Sequence, residues 1–399
     1  MVRESRVGIA ELRERLGCRD RHASSRDFTD AGGFGAGMRR AALSALLCTA
    51  AAGMLLLPAP AAQALPRGFF GIVPQTALTP RDMARMRAGG VDTIRVMAAW
   101  SGIQPSPRGG YDWSGLDATV TLAAEAHLEV LPFLVSTPHW ISRNWRVMPV
   151  DSARQRRAWG EFVEAAVERY GRRGEFWTEH GPGSKQPLPR LPIRAWQIWN
   201  EENFFYFATP PSPTRYARLL AVTHRAMHRA DPRAELVLGG LFGDPGQGPP
   251  RAYDAVDFLD RLYRVRGVKA NFDAVALHPY AADTGVLRSL VEGVRRVMIR
   301  HRDRRAGLYL SEIGWGSQFD PQVVSFEVGL HGQARELRSA FRYLIGNRHR
   351  LGLRQVDWFT WKDATGACNF CDSTGLFRRG GRFRPKPAWH AFVSFARRN

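Results

Sequence analysis

From Leu65 onward the chain alternates between short apolar runs of strand length and longer segments whose apolar residues recur at helical spacing. Eight apolar runs read as strands: 69–74, 91–96, 129–135, 195–199, 236–240, 272–280, 308–312 and 356–361. Between them lie helical patterns. Thr79-Pro80 opens the first, with a capping residue followed by proline at the first helical position, and Gly89-Gly90 stops it. Ser114 starts the second, with Leu116, Val120, Ala123 and Ala124 on one face. Ser152 starts a long third, through Trp159, Phe162, Val163, Ala166 and Val167. Further helices are expected over 214–229, 256–265, 285–302, 326–345 and 387–397.

Strict strand–helix alternation through eight repeats predicts an α/β chain folded as a (β/α)8 TIM barrel, occupying 65–399 as a single domain. A doubly wound open sheet is the rival. It usually shows a Gly-rich phosphate loop after the first strand; none is present there, and Gly32-Gly33-Phe34-Gly35 lies far upstream in the leader. In a barrel the working residues sit at the C-terminal ends of the strands.

The first 64 residues follow a different pattern. Residues 1–37 are polar, charged and Gly-rich, and read as a leader outside the native start or as a tail before an anchor. Met38-Arg39-Arg40, an apolar run to Leu57, and the small-residue site Ala62-Gln63-Ala64 then read as a signal peptide over 38–64, cleaved near Ala64. Gly53 and Pro58 interrupt the run, so no stable membrane span is expected. The protein is therefore expected to be secreted, with envelope association as a further option.

Composition changes this picture little. Of 399 residues, 44% are hydrophobic and 24% charged, which is globular. The net charge of +20 comes almost wholly from arginine, spread over predicted helices (Arg154, Arg156, Arg157; Arg295, Arg296, Arg300). Solvated helix faces account for it, and no nucleic-acid partner is expected, because basic clusters with interleaved aromatics are missing. The sharper alternative is attraction to an acidic polysaccharide or an anionic envelope surface. Downstream of the leader the only cysteines are Cys368 and Cys371, three apart, which suits a local disulfide in an exported protein. A zinc site would need two more ligands, and no second cysteine pair exists to supply them.

The chemistry concentrates at two strand ends. Ala195-Trp196-Gln197-Ile198-Trp199 runs directly into Asn200-Glu201, and Leu308-Tyr309-Leu310-Ser311 runs into Glu312. Across a barrel mouth two such glutamates can meet, one as a carboxylate and the other as a protonated acid, which is the equipment of a glycosidase. Arg95, near the end of the second strand, would hold Glu312 ionised if the two meet. Tyr280 can donate to the same carboxylate, and Asn200 can bond a sugar 2-hydroxyl. Trp100, Trp140, Trp315 and Trp361 offer flat apolar faces for sugar rings. His278 reads equally as a substrate contact and as a satisfied buried histidine. Glu202, next in sequence, is the competing carboxylate. Trp196 and Trp199 cannot both face the mouth on an alternating strand, so one belongs to the core.

With these positions in order, the chain resembles a clan A glycoside hydrolase of the family 39 type. The resemblance implies a retaining, cofactor-free and metal-free double displacement on an oligo- or polysaccharide. Glu201 is then the acid/base, Glu312 the nucleophile, and Arg95, His278-Pro279-Tyr280 and a strand-eight tryptophan, Trp361, its companions. Glu202 stands where the family often has proline, and the aromatic run Phe204-Phe205-Tyr206-Phe207 follows it, which leaves the sugar open. A carbohydrate-binding barrel without catalysis, or a transglycosylase using the same residues, are the alternatives. Sugar, linkage, exo or endo action and oligomeric state are not legible.

Overall fold

The computed structural model describes residues 65–319, 325–366, 368, 371–380 and 382–397, which fall in one compact unit, Ala62–Asn399. The leader and signal-peptide readings over 1–64 lie outside the described residues. Nine strands occur in chain order: β1 Phe70–Val73, β2 Thr93–Ala99, β3 Glu129–Val135, β4 Ala195–Ile198, β5 Glu235–Leu238, β6 Leu241–Phe242, β7 Ala274–His278, β8 Gly307–Ile313 and β9 Leu353–Phe359. The helices between and after them are α1 Pro80–Ala88, α2 Trp100–Ile103, α3 Ser114–Glu125, α4 Ala153–Tyr170, α5 Glu175–Glu179, α6 Pro213–Ala230, α7 Ala255–Tyr263, α8 Thr284–Arg300, α9 Leu330–Gly346, α10 Arg348–Leu351 and α11 Pro387–Ala396.

Neighbouring strands run in the order β5-β4-β3-β2-β1-β9-β8-β7, all parallel, and a β5–β7 pairing closes the ring. This is the (β/α)8 barrel that the alternation predicts; β6 is a two-residue extension paired with β7 at the rim. Helix starts obey the capping signals. Thr79 and Asp82 form a reciprocal capping box at α1, and Ser152 and Gln155 do the same at α4. Helix α9 begins four residues later than its apolar pattern suggests, because Phe326 and Glu327 belong to a turn bridged to Gly316.

Two strand limits differ from expectation in ways that matter. Strand β2 starts at Thr93 and runs to Ala99, which places Arg95 third of seven instead of at its end. Strand β9 ends at Phe359, two residues before Trp361. The barrel interior is apolar at one level, with Leu131, Val237, Ala274, Ala276 and Tyr309 packed together. Another level is polar, and there Arg95, Gln197, His278, Ser311 and Asp357 are all fully buried.

Candidate active site

The β4 end makes the site by a distorted backbone. Trp199 (φ +74°) and Glu201 (φ +44°) both adopt the left-handed region, which is costly for residues with a Cβ. The turn at Trp199 breaks strand alternation. Its indole points into the helix layer near Trp159 and donates to the Phe207 carbonyl at 2.7 Å. Trp196 and Trp199 are both fully buried, so neither faces the mouth, where the alternation argument would have left one free to do so. The turn also sends consecutive glutamates to different places. Glu201 reaches the polar barrel level. Glu202 turns toward Gly239, fully buried, with no hydrogen bond to either carboxylate oxygen among the described residues; the neighbouring Tyr216 hydroxyl instead donates to the Ile198 carbonyl at 2.8 Å. Glu201 is thus the carboxylate that the fold brings to Glu312.

Glu312 is gripped on both oxygens. Arg95 Nη1 donates to Oε1 at 2.5 Å and the Tyr280 hydroxyl donates to Oε2 at 2.6 Å. Arg95 also donates from Nη2 to Asn200 Oδ1 (2.7 Å) and from Nε to Gln197 Oε1 (2.5 Å), while its guanidinium lies 4.1 Å from the centre of the Phe133 ring. Since an arginine only donates, the Asn200 amide must turn its oxygen to Arg95, leaving its nitrogen as the donor for a ligand.

Glu201 has a poorer reception. Its one side-chain partner among the described residues is His278, whose Nδ1 lies 2.9 Å from Oε1 and 3.7 Å from Glu312 Oε2. One carboxylate oxygen each from Glu201 and Glu312 lie within 4.8 Å of one another and of the His278 ring nitrogen. Burial and then the Glu312 charge push the Glu201 carboxyl well above the usual range. Burial also raises Glu312, but Arg95 and the Tyr280 hydrogen bond oppose it. Of the two, Glu201 is the carboxyl more favoured to hold a proton, and Glu312, with Arg95 and Tyr280 against it, the one more favoured to carry charge. Burial and the Arg95 charge hold His278 neutral.

Two functional neighbours escape the sequence reading. Gln197 Nε2 donates to Ser311 Oγ at 2.9 Å, and Ser311 Oγ lies 3.0 Å from His278 Nε2. Both are single polar residues inside apolar strands, Ser311 immediately before Glu312, and that mismatch was the available signal.

The aromatic expectations need correction. Trp100, Trp315 and Trp361 are fully buried and offer no face to a sugar. Trp100 stacks on Phe162 beneath α4, Trp315 packs on Trp358, and Trp361, beyond the end of β9, donates to Asp82 (2.7 Å) and packs on Phe377 and Trp389. Trp140 alone of the four keeps partial exposure, its indole donating to the Gln104 carbonyl at 3.0 Å. At β9 the residue near the carboxylates is Phe359, whose ring meets that of Tyr280 at 6.0 Å. Met97 shares a strand face with Arg95 and is 62% exposed. The loop after β4 carries further aromatics. Asn203 pins it by donating to the Phe242 and Tyr253 carbonyls (2.8 and 2.7 Å), leaving Tyr206 exposed and Arg251 stacked 4.2 Å over Phe205.

Glu201, His278 and Glu312 are the one trio among the described residues spaced to hold a metal ion. A guanidinium already bonded to one member makes the place hostile to a dication, so proton chemistry is the better use. Cys368 and Cys371 are joined by a disulfide. Surface arginines commonly pair with acids on helix faces, as Arg229 with Glu164 (2.7 Å) and Arg261 with Asp257 (2.8 Å). No helix among the described residues is long and apolar enough to cross a membrane.

Known proteins show the same scaffold. A family model described as Beta-galactosidase, glycoside hydrolase family 42, matches residues 73–175. No curated protein sequence matches the chain. Among solved structures, a family 39 glycoside hydrolase from Bacteroides cellulosilyticus WH2 is 20% identical with a TM-score of 0.59, covering 82% of this chain and 63% of its own. A family 39 enzyme from Xanthomonas axonopodis pv. citri gives 19% and 0.60, covering 83% and 67%. A monomeric beta-xylosidase from Caulobacter crescentus CB15 gives 18% and 0.56, covering 82% and 68%. The chain thus spans less than two thirds of the Bacteroides enzyme. The likeness to clan A glycoside hydrolases of the family 39 type, read from the motifs, agrees with these matches.

Proposed function

We propose that the protein is a retaining glycoside hydrolase acting on an oligo- or polysaccharide. The observation that carries this is the carboxyl pair. One oxygen of Glu201 and one of Glu312 lie within 4.8 Å of each other, which suits the roughly 5–5.5 Å carboxyl separation of retaining enzymes better than the roughly 6.5–9.5 Å that an inverting enzyme leaves for water. Their environments differ as the two roles require. Glu312, held anionic by Arg95 and aligned by Tyr280, attacks the anomeric carbon. Glu201, protonated, delivers its proton to the departing glycosidic oxygen. A water then enters where the leaving group stood, Glu201 takes its proton, and the water oxygen displaces Glu312 from the anomeric carbon. The free Asn200 amide nitrogen suits a sugar hydroxyl, and Trp140, Met97 and Phe133 suit its apolar faces. No cofactor enters this cycle. Export through cleavage near Ala64 is part of the proposal, supported by the leader pattern and by the Cys368–Cys371 disulfide.

The solved neighbours include a beta-xylosidase and an exo-beta-1,4-mannosidase, so the first panel is β-xylosides, β-mannosides, β-glucosides and β-galactosides, with matching oligosaccharides. Cleavage with retained anomeric configuration by proton NMR, abolished in Glu312→Gln, is expected. Inverted product, or equal cleavage by the variant, overturns the reading. Sugar binding without cleavage points to a scaffold, and transfer to a second sugar to a transglycosylase.

A further inference from the structure

The two glutamates are joined a second way, through the polar level of the barrel interior, and along that path one direction of donation leaves the buried Ser311 hydrogen with an acceptor. Arg95 Nε can only donate, so Gln197 receives it on Oε1 (2.5 Å). The Gln197 amide therefore presents its NH2 group to Ser311, and Ser311 Oγ accepts at 2.9 Å. Ser311 Oγ could accept a second time, but its buried hydrogen would then have no partner among the described residues, so that hydrogen goes to His278 Nε2 at 3.0 Å. A neutral imidazole that accepts at Nε2 carries its hydrogen at Nδ1, the nitrogen facing Glu201 Oε1 at 2.9 Å.

We propose that Gln197 and Ser311 are positioning residues that set His278 as the Nδ1–H tautomer, so that it donates to Glu201 Oε1 throughout the reaction. This rests on the glycosidase reading for its consequence, though not for its geometry. With Oε1 occupied by a donor, the acidic hydrogen of Glu201 is confined to Oε2, the oxygen left for the leaving group. After that proton is delivered, the same Nδ1–H stabilises the carboxylate that has to act as base. The opposite tautomer would accept the Glu201 hydrogen at Nδ1 and point it away from the substrate. All four members of the path, Arg95, Gln197, Ser311 and His278, are fully buried, so water does not compete for these bonds.

The test is histidine nitrogen NMR on protein labelled with 15N-histidine, the His278 signals identified by their loss in His278→Gln. Wild type is expected to show hydrogen on Nδ1. Gln197→Glu is nearly isosteric and reverses the path, because a carboxylate draws the Ser311 hydrogen toward itself and His278 must then donate from Nε2. Hydrogen on Nε2 in wild type, or no change in Gln197→Glu and Ser311→Ala, overturns the proposal. Ser311→Thr keeps the hydroxyl, is expected to keep the wild-type signals, and controls for folding. Kinetics supply the second arm. Ser311→Ala is expected to lose about tenfold or more in kcat/KM on glycosides with poor leaving groups and little on activated aryl glycosides, whose departure needs no proton. Equal losses on both would mark a purely structural role and overturn the positioning claim. If no glycoside is cleaved, the functional reading fails, while the NMR arm still decides the tautomer.

Discussion

Arg95 Nη1 lies 2.5 Å from Glu312 Oε1 with the arginine fully buried, so one guanidinium compensates a carboxylate that burial alone would neutralise. Arg95→Met removes that compensation. The Glu312 carboxyl then rises further, and the acid limb of the kcat/KM profile moves to higher pH, with activity at neutral pH falling by about a hundredfold or more. A pH–rate profile measured beside wild type checks it; an unmoved acid limb would show that Arg95 does not govern Glu312.

Glu201→Gln separates the two chemical steps. On an activated aryl glycoside the first step survives and the second stalls, so a burst of phenol followed by slow turnover is expected. Azide, which attacks the glycosyl carbon without needing a base, should restore turnover and yield a glycosyl azide. On a poor leaving group the variant should lose about 10² to 10⁴ in kcat/KM. Loss without burst or azide rescue would remove Glu201 from the acid/base role.

Glu202 should make stability depend on pH in an unusual direction. Burial pushes its carboxyl from the ordinary 4.5 to about 8. Burial likewise raises Asp357, whose Oδ2 lacks a partner among the described residues, from 3.8 to about 7. Between the unfolded and folded values the native state holds protons that the unfolded chain has lost. Stability is therefore fully present at acid pH and falls as pH rises toward 8, by up to about 1.4 kcal/mol per pH unit for each proton. Glu202→Gln should flatten that slope and raise the melting temperature at pH 8. Thermal denaturation from pH 5 to 8 measures it, and a wild-type curve rising with pH would contradict it.

Gly240→Ala should disable the site without touching a carboxylate. Gly240 has φ +85°, and a Cβ there would strike the His278 imidazole, whose ring carbons lie 2.7 Å from it. A stability loss of about 1–2 kcal/mol is expected from the backbone alone. A larger fall in kcat/KM should come with it, because His278 must shift from its place between Ser311 and Glu201. Unaltered kinetics in a folded variant would show that His278 tolerates displacement.

The legible part of this protein was what repeats. Eight apolar runs and the capping signals at Thr79 and Ser152 specify the barrel, and the glutamates stand out because each terminates a run. What escaped depended on exact strand ends and on packing outside the barrel. Trp361 looked like a strand-end residue, yet β9 stops two positions earlier and Asp82 holds the indole elsewhere. Trp100 and Trp315 have the right composition for sugar platforms, but helix packing covers them, and no linear pattern states which face of an aromatic a helix will hide. Gln197 and Ser311 were passed over because one polar letter in an apolar strand reads as noise until its neighbours are placed.

The left-handed backbone at Trp199 and Glu201 has a further outcome for how this chain can change. A glutamate held at φ +44° beside a second buried carboxyl carries a backbone cost and an electrostatic cost together. Glycine or asparagine at that position would relax both conflicts at once, and such inactive variants should melt above the wild type. Random drift without selection for activity would erase Glu201 early, and long persistence of the barrel without its acid is the trace it would leave.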